Sequence, residues 1–93
     1  MRAVHPGRIL KAELEARSLS ANALALALRT PSGRITDIVN GKRAVSTETA
    51  MRLGRYFGQS PRFWLDLQTN YELAIAEASV GARIDIEVAP AAA

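Results

Sequence analysis

The sequence predicts an all-α fold of five short helices followed by a strand-like tail, and three observations carry that expectation. Apolar residues recur at helical spacing from Ile9 to Ile75. Most of these stretches open on a capping residue or a proline, and several close on residues suited to helix ends. After Gly81 the period changes, because Arg83-Ile84-Asp85-Ile86-Glu87-Val88 alternates polar with apolar as a strand does.

Pro6 suits the first turn of a helix, where its missing N–H costs nothing, and Ile9, Leu10 and Leu14 make one stripe that ends near Arg17-Ser18. Ser20 caps a second helix with Leu24, Ala25 and Leu28 inward, cut short by Arg29-Thr30-Pro31. The third helix starts there, with either Thr30 or Pro31 at the cap, buries Ile35, Ile38 and Val39, and stops at Asn40-Gly41. Both of those residues tolerate a left-handed backbone. Ser46 caps the fourth helix, in which Ala50, Leu53, Gly54 and Phe57 share a face and Gly58 ends the run. Ser60-Pro61 opens the fifth, with Phe63, Trp64, Leu67, Tyr71, Ala74 and Ile75 on an apolar side. Residues 1–80 are read as one domain and 81–93 as a tail that is strand-like or disordered; a lone strand needs a partner.

Composition narrows the function. With 48% apolar and 23% charged residues among 93, the chain is expected to fold as one small globular domain. It has no cysteine, hence neither disulfides nor thiolate metal sites, which fits a cytoplasmic protein. No signal peptide is expected, and no apolar run approaches the ~20 residues of a membrane span. Residues 29–55 hold six basic against two acidic side chains, and residues 62–88 hold two basic against five acidic ones. A basic middle beside an acidic C-terminal third implies one surface for a polyanion and another for something else. No nucleophile, base and acid stand at interpretable spacing, and no phosphate loop is present, so no enzyme, metal or cofactor is expected.

Two short helices joined by a tight turn inside a five-helix bundle form a helix-turn-helix, here the second and third helices with Arg29-Thr30 between them. The third would enter a DNA major groove. With Ile35, Ile38 and Val39 inward, Ser32, Gly33, Arg34, Thr36 and Asp37 face base edges. Arg34 suits guanine O6 and N7, Ser32 and Thr36 donate or accept, and Asp37 accepts from a cytosine amino group. Gly33 lets backbone approach closely. Lys42 and Arg43 follow the helix and suit phosphate, as do Ser20, Asn22 and Asn40.

Residues 5–74 resemble the HigA-type antitoxins of the Xre group, whose domain is lambda-repressor-like. The matching words are His5-Pro6-Gly7 with Ile9-Leu10, Leu19 to Ala25, Arg34-Ile35 with Ile38 to Arg43, Thr49-Ala50, Arg52-Leu53, Arg55 to Gly58, Phe63-Trp64-Leu65, Leu67-Gln68 and Tyr71-Glu72-Leu73. The resemblance implies a homodimer that binds a palindromic double-stranded operator and represses its own operon. It also implies a cognate HigB-type toxin, an mRNA-cleaving protein that this chain neutralises. Two other readings fit the same residues: a stand-alone Xre-type regulator, and an interaction module that has lost DNA binding. The family usually has glycine in the turn where this chain has Arg29, and a buried aliphatic residue where it has Thr30. A non-glycine residue held left-handed is strained by ~1–2 kcal/mol. Trp64, Leu67, Gln68 and Tyr71 on the fifth helix are the expected dimer interface, and His5 is expected to position the first helix.

Overall fold

Side chains that accept hydrogen bonds from the first free amides start four of the helices. In the computed structural model, which describes residues 3–92, α1 spans Pro6–Ala16, α2 Ala21–Leu28, α3 Ser32–Val39, α4 Thr47–Phe57 and α5 Pro61–Ala76. Residues 1, 2 and 93, at the outer edges of the two predicted units, lie outside the described residues. Ser20 accepts from the Ala23 amide, Ser46 from Thr49 and Ser60 from Arg62, while His5 Nδ1 accepts from Gly7. Each bond satisfies a donor the helix itself leaves free, for about 1 kcal/mol. At α3 the choice falls on Pro31, which sits at the cap without a side-chain bond.

Four helix ends share one device. Ser18, Arg29, Gly41 and Gly58 are left-handed, and the following amide reaches back five residues, from Leu19 to Leu14, Thr30 to Ala25, Lys42 to Asp37 and Gln59 to Gly54. Asn40 keeps a negative φ, so Gly41 alone turns the chain there.

Leu10 and Leu14, Leu24, Ala25 and Leu28, Ile35 and Ile38, Val45, Ala50 and Leu53, and Trp64 bury together in one core drawn from all five helices. Trp64 is fully buried at its centre, with Phe57 and Phe63 against it. Gly7 sets the approach of α1: a Cβ there would collide with the Ile38 carbonyl, so α1 starts directly on the C-terminal end of α3. That meeting of a helix start with a helix end also pairs opposite dipole ends.

The expected strand is absent: Arg83 to Glu87 is helical. After α5 comes a π-helical turn, Glu77–Gly81, and then α6, Ala82–Glu87, so one helical rod runs from Pro61 to Glu87. Val88 returns to extended backbone. A strand has no neighbour to pair with here, whereas each residue added to an existing helix gains a hydrogen bond at once. Arg83 and Glu87, four apart, pair at 3.8 Å along α6. The rod projects from the head and gives a principal extent of 52 Å against 24 and 22 Å. No helix among the described residues is long and apolar enough to cross a membrane.

Candidate nucleic-acid interface

Ile35 and Ile38 anchor α3 by its buried face, which leaves its polar residues outward in the order the spacing implies. Ser32, Gly33 and Thr36 are exposed, and Arg34 and Asp37 are half-buried. The Thr36 hydroxyl donates to the Ser32 carbonyl at 3.2 Å, so its own proton is already engaged. Among the described residues nothing lies within 4 Å of a Cβ built at Gly33, so internal packing does not require glycine there.

Arg34 and Arg43 come together although nine positions separate them in sequence. They line one polar recess of about 270 Å³ with Ala44, Ser46, Glu48 and Thr49, at the start of α4. Asp37 meets Arg43 at 3.8 Å, which ties a base-reading candidate to a phosphate candidate. Lys42 stands exposed beside them, and Ser20 and Asn22 are exposed at the start of α2. Asn40 is exposed at the end of α3.

Arg29 takes the left-handed conformation that glycine usually supplies, with φ 60° and ψ 44°. The turn geometry is therefore kept and the strain sits on Arg29. Thr30 Oγ1 is buried and has no hydrogen-bond partner among the described residues. An open cleft of about 600 Å³ between the end of α2 and α4 is lined by Ala27, Arg29, Met51, Arg52, Arg55 and Tyr56 among others.

The expected dimer residues are placed differently. Trp64 and Gln68 are buried in the chain's own core, where the Gln68 carbonyl oxygen accepts from the Val45 amide at 2.9 Å and its amide nitrogen donates to Glu72. Leu67 packs half-buried on that core, and Tyr71 lies edge-on to His5 at 4.8 Å. Exposed apolar side chains lie farther along the rod, Leu73, Ile75, Ile84 and Ile86, with Val88 just past its end, and others on the head, Leu26 and Met51 among them. Sequence reasoning also missed the start of α4 as part of the recess; Ser46, a cap three residues after Arg43, was the available signal.

Burial holds the His5 imidazole below the ordinary histidine range, and a hydrogen bond with the Arg43 backbone acts in the opposite direction.

Residues 10–64 match the helix-turn-helix family. Virulence-associated protein I of Dichelobacter nodosus is 49% identical over 78 residues, which is 83% of this chain and 72% of that protein. An addiction module antidote protein of the HigA family from Coxiella burnetii superposes with a TM-score of 0.94 at 44% identity, covering 98% of this chain and all of that one. The Pseudomonas aeruginosa antitoxin HigA, solved with the higBA promoter, superposes at 0.93 with 43% identity over 98% of this chain and 100% of its own.

Proposed function

We propose, from the premise that the chain belongs to the helix-turn-helix family and within it to the HigA type, that it is an antitoxin that represses its own operon. The observation that carries this reading is the recess where Arg34 and Arg43 converge beside the positive end of α4, on the exposed side of α3. Two cations and a helix start favour a phosphate, while Ser32, Arg34, Thr36 and Asp37 present donors and acceptors to bases. Gly33 gives the DNA backbone or base edges room. Lys42, Asn40, Ser20 and Asn22 extend the phosphate contacts. The retained left-handed turn at Arg29 supports a working helix-turn-helix rather than a module that has lost DNA.

The working unit is a homodimer whose two α3 helices meet half-sites roughly 34 Å apart. Leu73, Ile75, Ile84 and Ile86 on the projecting rod, with Val88 just past its end, support this, since a monomer leaves them in water. The second partner is a HigB-type mRNA-cleaving toxin. Such a toxin is basic because its substrate is an anion, and α1 with the segment before it offers Glu13, Glu15 and the exposed Ala3 and Val4. The acidic C-terminal rod is the competing surface.

A mobility shift with the chain's own promoter DNA, repeated with the neighbouring toxin, tests the reading. A salt-sensitive shift of promoter over random DNA and a toxin-bound species are expected; no shift at low salt sinks it. Light scattering should give twice the 10.0 kDa of one chain. Deleting residues 81–93 should leave toxin capture intact if α1 holds the toxin.

A further inference from the structure

His5 stands where three elements meet, and its contacts with α5 and with the loop after α3 go beyond starting a helix. Its Nδ1 caps α1 by accepting from the Gly7 amide at 2.9 Å. Its ring is edge-on to Tyr71 of α5, with centroids 4.8 Å apart. A Cβ built at Gly41 would sit 3.9 Å from His5 Cγ, in ordinary van der Waals contact, so the ring stands beside the loop after α3. The backbone of Arg43 lies close enough to act on the ring, raising the His5 pKa against the effect of burial. The same loop is held again at its far end, where Gln68 accepts from Val45. Lys42 and Arg43, the exposed cations, stand at the first of these two anchors.

We propose that His5 is a positioning residue for DNA binding: wedged between Tyr71 and the Gly41–Arg43 backbone, it holds that loop so that Lys42 and Arg43 meet phosphate already aligned. The inference rests on the DNA-binding reading above. A loop whose backbone is fixed before binding loses less conformational entropy on the complex, and affinity rises by that difference. Because phosphate contacts carry no sequence information, the benefit falls equally on promoter and random DNA.

His5→Asn separates this role from capping. Asparagine caps a helix start as well as any residue, but it is too short to fill the space between Tyr71 and the loop. The variant is expected to keep wild-type circular dichroism and melting temperature to within a few degrees. Its affinity should fall about fivefold for promoter and random duplex alike, with the salt slope lower by ~1. Amide exchange at residues 41–43 should quicken. Tyr71→Leu, which leaves the cap in place, is the second variant and should move the same quantities the same way. Wild-type affinity, slope and exchange in both variants overturn the proposal. If wild-type protein fails to bind promoter DNA, the functional reading fails instead, and the exchange comparison still decides whether His5 holds the loop.

Discussion

Arg52 reaches from α4 to the end of α2, where its Nη1 donates to the Leu28 carbonyl at 2.9 Å, while its Nε meets Glu48 at 3.1 Å. The bond occupies a carbonyl that the end of α2 leaves free, next to the strained Arg29. Arg52→Ala is expected to destabilise the protein by about 1 kcal/mol, below the usual value for a charged donor because the guanidinium is half in solvent. Urea unfolding should show a lower midpoint with an unchanged slope.

Arg29→Gly should act in the other direction. Glycine occupies φ 60° without the steric penalty, against which stands its greater freedom in the unfolded chain. A net gain of about 0.5–1 kcal/mol in the same urea experiment is expected.

Gly33→Ala separates stability from function. The site has space for a Cβ, so alanine should raise stability by up to ~1 kcal/mol through helix propensity. Operator affinity should nonetheless fall, since the only use left for the missing side chain is close approach of DNA. Fluorescence anisotropy with promoter duplex decides it; unchanged binding would show that Gly33 is a tolerated accident.

Arg34→Ala and Arg43→Ala should differ in kind. The first is expected to cost ~1–3 kcal/mol on the operator and relax base choice at one position. The second should weaken all sequences alike and lower the salt slope by ~1. Releasing Asp37 from its 3.8 Å pairing adds a small repulsion to the second. Binding to a set of single-base operator variants distinguishes the two.

Stability should depend on pH through His5. Its folded value lies below the unfolded 6.5, so the unfolded chain takes up the proton first. The stabilisation is complete above 6.5 and declines as pH falls towards the lower folded value, below which this residue adds no further change. Urea midpoints between pH 5 and 7.5 should carry that slope in the wild type and lose it in His5→Asn.

Much of the fold was legible because its start signals are chemical. Ser20, Ser46 and Ser60 announce helices by what a hydroxyl can accept, and Pro6 and Pro61 by the donor they lack. The outward set on α3 followed once Ile35 and Ile38 were known to point in. The burial of Trp64 and Gln68 within their own chain was not legible for a different reason: a stripe at helical spacing says that a face is covered, not whether the same chain or another covers it. Residues 83–88 misled because alternation is a property of side chains, whereas their conformation is inherited from the helix that precedes them. The convergence of Arg34, Arg43 and Ser46, and of His5 with Tyr71, joins positions far apart in sequence and leaves no periodic trace.

The wide turn at Glu77–Gly81 amounts to one residue inserted into an otherwise regular rod. One residue of α-helix is about 100° of rotation, so the insertion resets the compass bearing of everything after it. Ile84 and Ile86 lie beyond that insertion. Removing a single residue from this segment would swing the distal apolar edge about a quarter turn without touching the globular head, which makes its phase adjustable independently of the DNA-facing surface.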